Sequence, residues 1–87
     1  MTYRVVVEGQ ARKALSKIPE PFHARIERFI LSLEDDPRPT GTVALKGWRG
    51  RYRFRIGDYR VIFDVRDAAS IVVVVDLGHR GKVYRDF

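Results

Sequence analysis

The chain has 87 residues, room for one hydrophobic core and not for two. Apolar residues make up 45% and charged residues 32%, the balance of a soluble globular domain, and no apolar run approaches the ~20 residues of a membrane span. Cysteine is absent, which excludes disulfides and thiolate metal sites, and 17 Lys and Arg against 11 Asp and Glu leave a formal net charge of +6.

Tyr3 to Val7 reads as a first strand because it is rich in β-branched residues. The stretch MTYRVVVEGQ is too short for a signal-peptide core, so a cytoplasmic location is expected. Glu8-Gly9 breaks the strand. Ala11, Ala14, Leu15 and Ile18 then recur at helical spacing, with Arg12, Lys13 and Lys17 on the other side. Pro19 closes that helix and Pro21 suits the first turn of the next, whose apolar stripe is Phe22, Ile26, Phe29, Ile30 and Leu33. Asp35-Asp36-Pro37 stops it, since the residue before a proline avoids helical ψ. Two helices joined this closely are expected to form an antiparallel hairpin. Residues 37–50, rich in Gly and Pro, read as an irregular loop that Leu45 and Trp48 anchor to the core.

The next stretch alternates strictly. Tyr52, Phe54 and Ile56 are apolar, while Arg51, Arg53 and Arg55 are cationic. Gly57-Asp58 is a two-residue hairpin signal, and Tyr59 to Phe63 is the returning strand. A two-residue loop sets Ile56 against Tyr59, Arg55 against Arg60 and Arg53 against Ile62, so Arg53, Arg55 and Arg60 share a face. Like charges directly opposite weaken a sheet by a few tenths of a kcal/mol or more, so this patch is expected to meet something anionic.

A third strand follows the turn at Asp67-Ala68-Ala69, within Ser70 to Leu77. Pairing Arg66 with Ser70 sets Phe63 against Val73, Val61 against Val75 and Arg60 against Asp76. That register predicts an antiparallel sheet whose helix-covered face carries Tyr52, Phe54, Val61, Phe63, Val73 and Val75. The basic face would then also carry Ile62, Val72 and Val74, apolar residues in need of cover.

Residues 46–60 hold Lys46, Arg49, Arg51, Arg53, Arg55 and Arg60 against Asp58 alone, a net +5 of the chain's +6. Guanidinium groups bind phosphate oxygens two at a time, so a phosphate partner competes with a merely solvated basic face. Glu8, Asp36 and Asp64 read as capping, turn and ion-pair residues. No cofactor is expected, and no metal, because there is no HxxxH, no carboxylate cluster and no cysteine.

The order strand, two helices, three-stranded meander resembles the RelE/ParE toxin superfamily of toxin–antitoxin systems. The residues that carry the resemblance are TYRV near the start, KALSKIP, DDPRP, LKG, the hairpin YRFRIGDYRVIF and the closing LGHRGKVY. The resemblance spans the whole chain as one domain, residues 1–87. It implies an α+β fold with both helices on one sheet face and the basic residues on the other.

The resemblance also implies an activity. RelE-type members enter the ribosomal A site and cut the mRNA codon there, the ribose 2′-hydroxyl attacking the adjacent phosphorus. The family's site residues match Arg53, Arg55, Arg60, Arg80 and Tyr84 here. The catalytic set implied is Arg55, Arg60, Arg80 and Tyr84, with RNA contacts from Lys46, Arg51, Arg53, His79 and Lys82. Partners implied are a RelB-like antitoxin, the ribosome with its small-subunit rRNA, and mRNA, with no membrane. A ParE-like DNA gyrase inhibitor and a non-catalytic nucleic-acid-binding module of the same fold are the alternatives.

Overall fold

The structure, a computed structural model, describes residues 2–79. Its elements are β1 (Arg4–Val7), α1 (Gly9–Ser16), α2 (Phe22–Ser32), β2 (Val43–Ala44), β3 (Arg51–Ile56), β4 (Tyr59–Arg66) and β5 (Ile71–His79), with a 3₁₀ turn at Asp67–Ala69. The fold is α+β: two helices and one five-stranded mixed sheet of order β1-β5-β4-β3-β2.

Both helices form where the apolar spacing places them. The buried positions are Ala11 in α1 and Ile26, Phe29 and Ile30 in α2, with Ile18 and Leu33 just beyond the helix ends. Pro21 holds the N-cap position of α2, and the carboxylate of Glu20 just before it accepts the Ala24 N–H of the first turn at 3.0 Å. Glu8 holds the N-cap position of α1, but its side chain makes no capping hydrogen bond. The helices share a core with Val61, Phe63, Val65, Val72, Val74 and Leu77, against which Tyr52, Phe54, Ile56 and Tyr59 pack. Phe29 seats α2 on the sheet, stacked on Phe54 at 4.2 Å between centroids and edge-on to Phe63 at 5.9 Å.

The β3–β4 hairpin has the register its alternation dictates, from Ile56 against Tyr59 out to Arg51 against Asp64. Gly57 turns it at φ +60, and a Cβ there would lie 2.5 Å from Phe22, so glycine is required by both conformation and space.

Three expectations fail. The sheet is not wholly antiparallel, because β1 runs parallel to β5, Arg4 against Ile71 through Val7 against Val74. The loop from Pro37 to Gly50 contains a two-residue strand, β2, paired with Tyr52 and Arg53 of β3. The β4–β5 register also differs. Ser70, left-handed at φ 53, belongs to the turn, so Arg66 pairs with Ile71 rather than Ser70. An irregularity between Ile62 and Phe63 then adds one more residue on the β5 side, setting Phe63 against Val74 but Ile62 against Asp76.

One residue of slip moves every side chain to the other face. Val72, Val74 and Leu77 therefore belong to the helix-side core, while Val73 and Val75 join Ile62 in a second cluster, with Leu45 and Ile71 packed on it. Arg60 faces Gly78 across the strands, and Asp76 stands two pairs along, opposite Ile62. The second cluster does not lie open: Ile62 is fully buried, and Val73 and Val75 are buried too.

Candidate nucleic-acid interface

The interface is built on β3 and β4, whose pleat separates two sets of side chains. Tyr52, Phe54, Ile56, Tyr59, Val61 and Phe63 join the helix-side core. Arg51, Arg53, Arg55 and Arg60 occupy the alternate positions, with Arg53 directly opposite Ile62 of the second cluster. Arg55 and Arg60 face each other at the hairpin end. Arg55 is exposed, and its Nε donates to the Gly57 carbonyl at 2.9 Å. Arg60 is the sole buried charged side chain among the described residues, 9% exposed. On its β5 side it meets Gly78, which has no side chain to fill the space beside it. The result is one buried and one exposed arginine directly opposite each other across the hairpin, cations of the kind that bind phosphate oxygens.

At the other end of the row Arg51 is held tightly. Its Nε donates to Asp64 Oδ1 at 2.6 Å and an Nη to Asp64 Oδ2 at 2.9 Å, with both side chains mostly buried. Its guanidinium also lies over the Trp48 ring, 4.6 Å from the centroid. The Asp64 hydrogen bonds outweigh desolvation and raise the Arg51 pKa above its ordinary value. Arg51 was expected to contact RNA directly, yet this geometry commits much of its fork to Asp64. Trp48 was expected to anchor its loop in the core, but it is 43% exposed and belongs to neither apolar cluster. Leu45 does anchor the loop, on the second cluster.

Lys46 is exposed in the turn between β2 and β3. His79 ends β5 opposite Tyr59, edge-on to its ring at 5.8 Å. It shares the parity of Leu77 rather than that of Gly78 opposite Arg60, and it lines a cleft with Ala14, Lys17 and Ile18. The strand pairing therefore does not join His79 to the arginine row. Arg80, Lys82 and Tyr84 lie outside the described residues.

Sequence reasoning missed a polar clasp at the sheet's lower end. Arg38 forms an ion pair with Asp67 and donates from Nε to the Tyr52 hydroxyl at 3.0 Å, while the Tyr3 hydroxyl donates to Asp67 at 2.6 Å. The clasp joins the residue before β1, the loop after α2, β3 and the 3₁₀ turn. The hydrogen bond from Arg38, then that from Tyr3, holds the Asp67 carboxyl below the usual carboxylate range. The hydrogen bond to Asp67 raises Tyr3. Spacing gave no signal for it, since the partners are 29 and 64 residues apart.

Comparison with known proteins settles the class that this fold defines. Residues 5–84 match the family model described as the ParE toxin of type II toxin–antitoxin systems, parDE. A solved archaeal RelE–RelB complex from Pyrococcus horikoshii contains a chain 36% identical, covering 94% of this chain and 99% of that one, with a TM-score of 0.82. Toxin RelG of Mycobacterium tuberculosis is 29% identical over 86 residues, 98% of this chain and 99% of its own. The toxin–antitoxin complex RelBE2 of the same organism has a chain 27% identical, covering 92% of this chain and 100% of that one, at a TM-score of 0.78. The chain belongs to the RelE/ParE superfamily of toxins of type II toxin–antitoxin systems.

Proposed function

We propose that the protein is a ribosome-dependent endoribonuclease that cuts mRNA in the A site and is restrained by a RelB-like antitoxin. The observation that carries this reading is the Arg55–Arg60 pair on the hairpin, with Arg53 beside it on the same strand face. In the reaction the ribose 2′-oxygen forms a bond to the adjacent phosphorus as its proton leaves. The bond from phosphorus to the 5′-oxygen breaks, that oxygen takes up a proton, and the products are a 2′,3′-cyclic phosphate and a 5′-hydroxyl. Negative charge builds on the phosphoryl oxygens, where preorganised cations act most strongly. Arg60, which is buried, is suited to that role, and Arg55 can clamp the same phosphate from the solvent side.

A guanidinium offers five N–H donors and no acceptor, so Arg53, Arg55 and Arg60 are assigned to stabilising charge and not to the role of base. Arg80 and Tyr84 complete the proposed catalytic set. Lys46, Arg53 and Lys82 contribute charge along the RNA. The solved relatives include RelE–RelB complexes, which supports a RelB-like antitoxin as a partner.

The test is cleavage of a defined codon in programmed ribosomes. Arg60→Ala and Arg80→Ala should each lower the rate about a hundredfold or more. Arg55→Lys separates charge from geometry: retained activity means charge suffices, and a large loss means the planar fork grips two oxygens. Wild-type cleavage by Arg60→Ala protein that remains folded would overturn the assignment.

A further inference from the structure

We propose that the Gly57 carbonyl is a positioning group for Arg55, and that Phe22 of α2 steadies it, so that the two Nη groups of Arg55 meet the scissile phosphate end-on. The inference rests on the RNA-cutting reading above and adds the parts of the fold that aim one of its arginines.

Arg55 itself supplies the first observation. Its Nε donates to the Gly57 carbonyl at 2.9 Å, and among the described residues its side chain makes no other hydrogen bond and no ion pair. The side chain is exposed, so both Nη groups stay open to an anion. A guanidinium can grip two phosphate oxygens through Nε and one Nη, or through the Nη pair. With Nε already engaged, the Nη pair is the fork that remains. An arginine left to itself samples many rotamers, and one hydrogen bond back to the chain removes part of that freedom before RNA arrives.

The turn supplies the second. Gly57 and Asp58 form the two-residue loop between β3 and β4, with Gly57 at φ +60. Ser70 is the sole described non-glycine residue with positive φ, so Asp58 lies outside that region and the turn is type II′ rather than type I′. The two types differ by a flip of the peptide between the central residues. That peptide carries the Gly57 carbonyl, so the turn type decides which side of the hairpin the carbonyl serves. Glycine's freedom at φ +60 is what makes the carbonyl available to Arg55.

Phe22 supplies the third. A Cβ on Gly57 would lie 2.5 Å from the Phe22 ring, so the ring packs directly against the turn. Phe22 also meets Tyr59, the first residue of β4, at 5.3 Å between ring centroids, and the Arg25 guanidinium lies 5.6 Å from the Phe22 centroid. Contacts of this kind hold the start of α2 on the tip of the hairpin. The helix layer thereby reaches an arginine on the opposite sheet face through the backbone of the turn.

Two measurements on the full chain test this. The first is proton exchange at arginine Nε–H, followed by nuclear magnetic resonance in the free protein. Arg55 should exchange about tenfold more slowly than Arg28, whose exposed side chain makes no hydrogen bond among the described residues, and Phe22→Ala should remove most of that protection. The second is A-site cleavage on programmed ribosomes, with circular dichroism confirming that each variant is folded. Phe22→Ala should lower kcat about tenfold or more with Arg55 in place, with little change in KM, and by no more than about twofold in an Arg55→Ala background. Phe22→Leu, which keeps apolar bulk against Gly57, should recover most of the rate. If Phe22→Ala does not fold, the wild-type comparison of Arg55 with Arg28 still decides.

Equal exchange at Arg55 and Arg28 in wild type would overturn the positioning, as would the same loss of kcat in Phe22→Ala with and without Arg55. In either case the nuclease reading stands as long as wild type cuts. Programmed mRNA left intact by wild type overturns the nuclease reading, and this inference with it.

Discussion

The Arg51–Asp64 pair can be tested by removing each partner in turn. Its two hydrogen bonds, at 2.6 and 2.9 Å, join side chains only 18% and 15% exposed. That places it between a surface ion pair, worth about 0–1 kcal/mol, and a fully buried one, where loss of one partner costs about 3–5 kcal/mol. Charge-assisted hydrogen bonds in such surroundings contribute about 1.5–3 kcal/mol. Arg51→Ala also removes the guanidinium from Trp48, about 0.5–1 kcal/mol more. Asp64 keeps a second cation after that change, since an Arg66 Nη lies 3.9 Å away, which softens the loss. We therefore expect Arg51→Ala to cost about 2–3 kcal/mol and Asp64→Ala about 2 kcal/mol, with a coupling of about 1–2 kcal/mol in the double-mutant cycle. Urea unfolding followed by circular dichroism gives all four free energies. A coupling within about 0.3 kcal/mol of zero would show that the pair does not act as a unit.

Gly57→Ala should destabilise the fold by about 1–3 kcal/mol, because alanine is strained at φ +60 and its Cβ would collide with Phe22. A melting temperature within about 2 °C of wild type would refute the turn geometry, since about 1 kcal/mol shifts a domain of this size by about 4–8 °C. Asp67 predicts a pH dependence. Its folded pKa is depressed, so the clasp's contribution is complete above the unfolded value of about 3.9 and is lost as pH falls through the folded value. The difference in urea midpoint between wild type and Asp67→Ala should be constant from about pH 5 to 7 and shrink below about pH 4; a difference that does not shrink would contradict the clasp.

How much was legible in the sequence varies by element, for physical reasons. The β3–β4 hairpin was readable because strict alternation meets a two-residue turn, and the register follows from those two facts alone. Carrying that register two pairs further would have set Arg51 against Asp64 and exposed their ion pair. β5 was not readable to the residue. Its run from Ile71 to Val75 has no alternation to choose a face, so the turn decided the register, and Ser70 and the irregularity near Ile62 shifted it. The parallel partner of β1 was hidden for the same reason, since three successive valines suit either face. Trp48 was misjudged because composition cannot tell a packed indole from an exposed one when the deciding contact is a guanidinium. Arg53, Arg55 and Arg60 were placed by alternation, whereas Arg80, Lys82 and Tyr84 fall outside the described residues.

The most direct test of the central claim is end-mapping on ribosomes programmed with one mRNA in two forms, all-ribose and with a single 2′-deoxy nucleotide at the attacking position of the A-site codon. The account predicts a cut within that codon of the all-ribose message, leaving a 2′,3′-cyclic phosphate and a 5′-hydroxyl, and no cut in the deoxy form. Intact all-ribose mRNA, accompanied by loss of gyrase supercoiling in a parallel assay, would contradict the account and assign the protein to the gyrase-inhibiting side of its superfamily.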